Sequence, residues 1–75
     1  MPELPLCSAA AAASAFMKAG FVFDRKSGSH AVFRKPGHKY HLSIPVHGAK
    51  PLGKGLLRSL IADAGLTIEQ FCDLL

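Results

Sequence analysis

Phe21-Val22-Phe23-Asp24-Arg25-Lys26-Ser27-Gly28-Ser29-His30-Ala31-Val32-Phe33-Arg34-Lys35-Pro36-Gly37 is the stretch that decides the fold. Aromatic and β-branched residues alternate with polar ones, which is the two-residue period of a half-buried strand. One strand starts at Phe21 and ends near Lys26. Ser27-Gly28-Ser29 makes a tight turn, a second strand runs from His30 to Lys35, and Pro36-Gly37 breaks the chain again. Tyr40 to Val46 reads as a third strand, so two successive hairpins predict a three-stranded antiparallel meander. Alternation sorts the side chains: Tyr40, Leu42, Ile44 and Val46 share a face with Ala31 and Phe33. His41, Ser43 and His47 share the other with His30, Val32 and Arg34. One face is apolar and suited to helices; the other is polar, basic and rich in histidine.

Helical patterns flank the meander. Ser8 is a good N-cap for the alanine-rich run Ala9–Ala19, and Gly20 supplies its stop. Pro45 has no backbone N–H and belongs on an edge strand or a bulge. After the Gly- and Pro-punctuated loop 47–53, Leu56, Leu57, Leu60, Ile61 and Ala64 form one apolar stripe on a helix from Lys54 to Ala64, which Gly65 ends. Thr67 and Gln70 make a capping box for a short last helix carrying Ile68, Phe71, Leu74 and Leu75. The order αβββα with a terminal turn of helix is an α+β arrangement, helices on one face of a three-stranded sheet. Its 75 residues leave room for one domain, with 8–75 as the core and 1–7 as an N-terminal extension.

Charge is unevenly placed. Residues 24–58 hold eight of the nine Lys and Arg residues, all four histidines (His30, His38, His41, His47) and a single acid, Asp24. A polyanion such as nucleic acid is the first partner to expect. Leu4-Pro5-Leu6-Cys7 invites comparison with a secretory signal, but no cation precedes it and the alanine run is too short and weakly apolar. No stretch approaches the roughly 20 apolar residues that cross a bilayer. Cys7 and Cys72 stand at opposite ends without metal or redox spacing, and read as free thiols of a reducing cytoplasm, with a disulfide joining the termini as the alternative.

The chemistry-bearing candidates lie in the basic middle. Gly28-Ser29-His30 brings an imidazole to the start of a strand on the solvent face, with Lys26 beside it in sequence and Arg34 on its face. Such a histidine takes up and releases protons near neutral pH. It suits removal of a 2′-hydroxyl proton while cations stabilise charge developing on phosphorus; an exposed histidine without catalytic duty is the alternative. His47 sits where the third strand meets the loop, and a loop-fixing hydrogen bond is its alternative role. His38 and His41 are three apart and would face opposite ways in a strand; with no paired cysteines and no helical H-E-x-x-H pattern, a zinc site is not expected. Paired carboxylates and a Walker-type glycine loop are also missing from the sequence. Three readings remain: a metal-independent, histidine-dependent reaction, a non-catalytic RNA-binding module using the same basic face, and a surface docking an acidic protein.

Ala19-Gly20-Phe21, Gly28-Ser29-His30 with Phe33, Ile44-Pro45-Val46-His47, Gly55-Leu56-Leu57 with Leu60-Ile61, and Ala64-Gly65-Leu66 followed by Phe71 occur in that order. With this ordered set the chain, from about Ser8 onward, resembles the HicA-type (YcfA-like) mRNA interferase toxins of bacterial and archaeal toxin–antitoxin pairs. The resemblance implies a fold like the double-stranded-RNA-binding domain. It also implies a ribosome-independent endoribonuclease that cleaves mRNA, neutralised by a HicB-like antitoxin, with His30 as the active-site histidine; on the elimination above, no metal or other cofactor is expected. His30 would act as general base or acid, with His47, a lysine or water as candidates for the second group. Lys26, Ser29, Arg34, Lys50 and Lys54 would bind single-stranded mRNA. The alanine-rich first helix departs from the family, whose members carry charged and larger apolar residues there.

Overall fold

The computed structural model describes residues 3–46 and 50–75. Helix α1 spans Ala9–Lys18, and the Ser8 hydroxyl caps it by accepting the Ala11 N–H at 3.2 Å. Its far end closes on Gly20 at φ +106°, where the Gly20 N–H reaches the Met17 carbonyl and the Phe21 N–H reaches that of Phe16. This is the Schellman arrangement, completed by the hydrophobic contact that usually accompanies it: the Phe16 and Phe21 rings meet edge-on at 6.2 Å.

The chain then enters β1 (Val22–Ser27), β2 (His30–Arg34) and β3 (Leu42–Pro45), an antiparallel sheet in the order β1-β2-β3. Ser27 pairs with His30 across Gly28-Ser29, and positive φ falls on Gly28 alone, as a type II′ hairpin turn requires. β3 is an edge strand, and the Val46 N–H to Ser29 carbonyl bond makes His30–Pro45 a non-hydrogen-bonded pair, so the nitrogen of Pro45 faces the open edge where no ladder bond is lost. The ladder continues one step further, with the Val46 N–H donating to the Ser29 carbonyl at 2.7 Å.

Helix α2 (Lys54–Asp63) ends in a second Schellman turn at Gly65, and α3 (Ile68–Leu74) starts with both halves of the Thr67–Gln70 capping box. The architecture is α+β and like the double-stranded-RNA-binding domain, with helices packed on one face of the sheet. Phe16, Phe21 and Phe71 meet at the centre of the core with Leu42, Ile44 and Leu57.

Three side chains depart from simple alternation or stripe counting. Tyr40, expected on the apolar face, precedes β3 and is exposed, whereas Val46, just past β3, keeps the expected side and lines an apolar groove with Ala31, Phe33 and Ile44. Leu56 opens onto a surface cleft while Leu57, Leu60, Ile61 and Ala64 are buried. Val32, on the polar face, is only 8% exposed yet stands outside the main core cluster, because its strand is central and Arg25 and Ser43 flank it. The segment before α1 also enters the core through Leu4 and Cys7. It is fixed there by the Leu52 N–H donating to the Cys7 carbonyl at 2.8 Å and by an antiparallel bridge from Ser8 to Pro51. Cys7 and Cys72 are both free, and among the described residues no helix is long and apolar enough to cross a membrane.

Candidate nucleic-acid interface

The face of the sheet opposite the helices is organised by one irregularity. Phe23 pairs with Phe33 and Arg25 with Val32, so Asp24 is an extra residue, a β-bulge in β1. Because side chains alternate with a period of two, one inserted residue exchanges the faces of everything beyond it. Arg25 and Ser27 therefore stand on the open face with His30, Val32 and Arg34, paired to Val32 and His30 respectively. Lys26 pairs with Ala31, which packs against the core, so Lys26 belongs to the helix-bearing side. The structure does not bring Lys26 to His30. The nearest open-face cation by register is Arg25.

His30 is exposed at the first position of β2, between Ser27 on one side and Pro45 on the other. Among the described residues it has no side-chain hydrogen-bond partner. Ser29 is exposed in the turn before it. Arg34 lies four residues along the same strand, about 13 Å away at the usual rise. Its guanidinium shares the Asp24 carboxylate with Arg25: Arg34 Nε approaches Oδ1 to 3.4 Å and Arg25 bonds Oδ2.

Pro45 connects the histidine to a second region. It lines a surface cleft with Lys50, Pro51, Leu52, Gly53 and Leu56. Lys50 is exposed there, and Lys54 is exposed as the first residue of α2. Gly53 gives that helix no side-chain cap and its first turn carries no acid, so Lys54 adds positive charge to the positive end of the helix dipole. His47 lies outside the described residues.

His38 and His41 do not share a strand; both precede β3. His38 is occupied structurally, with Nε2 at 2.6 Å from the Asp63 carbonyl and its ring edge-on to Phe21. Among the described residues no three His, Cys, Asp or Glu side chains gather where they would hold a metal ion. The bulge is what sequence reading missed, and with it Arg25. A bulge is decided by which residues pair across strands, and no local pattern in Phe23-Asp24-Arg25 announces it.

The sheet, the Gly-Ser-His turn and the two glycine-closed helices lie within a matched family. A family model described as the HicA toxin of bacterial toxin–antitoxin systems matches residues 11–66, about three quarters of the chain. No individual curated protein matches it. The matched span runs from the first turn of α1 through the closure of α2 and includes the whole open face, so the chain belongs to the HicA toxin family and is the toxin component of a toxin–antitoxin system.

Proposed function

We propose that this toxin is a metal-independent endoribonuclease that cleaves single-stranded mRNA, with His30 as its catalytic residue. The observation that carries the reading is the placement of His30: a II′ turn delivers it to the start of the central strand, on the face no helix covers, within a toxin family. His30 takes the proton from a ribose 2′-hydroxyl as the oxygen attacks the adjacent phosphorus. The bond from phosphorus to the 5′-oxygen breaks, and that oxygen receives a proton, leaving a 2′,3′-cyclic phosphate and a 5′-hydroxyl. One imidazole cannot give and take a proton in the same step, so a second group is required, and His47 is the candidate in sequence. Arg34, Ser29, Lys50 and Lys54 hold the strand on either side of His30. Lys26 is left out of this track by the bulge. Single strands are favoured because in-line attack by a 2′-hydroxyl is hard to reach in an A-form duplex. The neutralising partner is an antitoxin of the HicB type, and the pair acts in the cytoplasm.

The test is cleavage of mRNA in EDTA by the wild-type chain and by His30→Ala. The wild type should cut, and the variant should lose about 10²- to 10⁴-fold in rate while still binding RNA. Undiminished cleavage by the variant would remove His30 from the chemistry. RNA binding without cleavage by either chain would leave a non-catalytic RNA-binding module.

A further inference from the structure

Asp24 is the one acid between Lys18 and Asp63, and it sits among cations on the open face. Its carboxylate is about three-quarters buried while meeting two guanidinium groups, those of Arg25 and Arg34, whose side chains are 62% and 56% exposed. Exposed ion pairs of this kind stabilise a fold by about 0–1 kcal/mol, so stability gives little reason for two arginines to converge here. Ligand chemistry gives a better one. A carboxylate and a phosphodiester present similar pairs of oxygens to the planar guanidinium fork. Two arginines gathered around one anion on an otherwise open face are already arranged for another anion.

The register places this cluster beside the histidine. Arg25 pairs with Val32, which is two residues from His30 on the same face, about 7 Å along the strand, and Arg34 lies one repeat further. An RNA strand held at His30 and following β2 passes the cluster within a few nucleotides.

We propose that Arg25, Arg34 and Asp24 form a phosphate-exchange subsite. In it a phosphodiester flanking the cleavage position takes the place of the Asp24 carboxylate between the two guanidinium groups. Asp24 is then a built-in competitor: it holds the arginines on the face in the free protein and lowers their affinity for RNA. This rests on the reading that the His30 face receives RNA. On that face Arg25 rather than Lys26 is the cation flanking His30, and Asp24 works against binding.

The sign of the Asp24 effect tests it. Binding of a fluorescein-labelled single-stranded RNA to the full chain is measured by anisotropy over a series of salt concentrations, in a His30→Ala background so that the probe survives. Each variant is first checked for folding by urea unfolding. Asp24→Asn should tighten binding about three- to tenfold, as loss of one nearby negative charge predicts. Arg25→Gln and Arg34→Gln should each weaken binding several-fold and reduce the slope of log K against log salt by about 0.7, the value for one phosphate contact on a single strand. Lys26→Gln should change binding less than either.

The triple variant Asp24→Asn/Arg25→Gln/Arg34→Gln separates exchange from simple net charge. The gain from Asp24→Asn should vanish once both arginines are gone, because coupling is expected only among groups in contact. A gain that persists without the arginines overturns the subsite, as does an Asp24→Asn variant that binds no tighter. Should Asp24→Asn fail to fold, Asp24→Ser carries the same expectation. A His30→Ala chain that binds no RNA overturns both the subsite and the RNA reading of the face. Binding insensitive to all three residues overturns the subsite alone.

Discussion

His38 ties the connection between β2 and β3 to the end of α2: its Nε2 lies 2.6 Å from the Asp63 carbonyl. A carbonyl only accepts, so Nε2 carries the hydrogen and the tautomer is set by the fold. The same ring stands edge-on to Phe21 with centroids 5.3 Å apart, and its Cε1 lies 3.5 Å from where a Cβ on Gly65 would be. One side chain thus closes the turn that ends α2 and covers the aromatic that ends α1.

Removing that clamp should be felt in stability. His38→Ala loses one hydrogen bond and its ring packing, for an expected loss of about 1–2 kcal/mol. In a domain this small each kcal/mol lowers the melting temperature by roughly 4–8 °C. His38→Gln keeps a donor at similar reach and should recover part of the loss. Urea midpoints at unchanged m-value are the measurement. Equal midpoints for His38→Ala and wild type would show that solvent replaces the bond without cost.

Cys7 supplies a pH dependence. Burial pushes its thiol above the ordinary range, and the neighbourhood of Cys72 adds to the shift. The unfolded thiol ionises at its ordinary value while the folded one stays protonated, so the unfolded state binds fewer protons in that interval. The Cys7 contribution is fully present below the ordinary thiol pKa and is lost as pH rises through the folded value. Stability should therefore fall on the alkaline side, with a slope from this group of at most about 1.4 kcal/mol per pH unit. Urea unfolding at neutral and alkaline pH, compared with Cys7→Ala, isolates it. The stability difference between the two chains should shift against the wild type as pH rises, and a constant difference would exclude Cys7 as the source.

Short-range chemistry makes most of this fold legible in the sequence. Ser8, Gly20, Gly65 and the Thr67–Gln70 pair act within four residues of themselves, and each ends or starts a helix where its side chain or backbone freedom dictates. Gly28-Ser29 marks the hairpin for the same reason. The site was harder to read because its faces depend on pairing between distant residues. Counting by twos gives no warning that Asp24 is skipped, so Lys26 looks like the neighbour of His30 when Arg25 is. Val32 is buried by what its flanking strands carry. His38, considered as a ligand from its spacing to His41, takes its role from a carbonyl 25 residues away.

The alanine-rich helix permits a last prediction, in which neighbouring positions give opposite signs. Ala12 and Ala15 are fully buried within the core cluster. Ala13 is half-buried and lines an apolar groove with Ala9, Ala10, Ala31, Phe33, Ile44 and Val46, where the small side chains of α1 leave the sheet partly uncovered. Ala12→Leu drives added methylenes into closed packing and should destabilise by about 1–3 kcal/mol. Ala13→Leu lays the same atoms into open apolar space at little change in helix propensity, and should stabilise by about 0.5–1.5 kcal/mol. Thermal unfolding of the two variants side by side decides it. If both lose stability, α1 is packed against the sheet along its whole inner side; if Ala12→Leu is tolerated, the helix is free to lift away from the core.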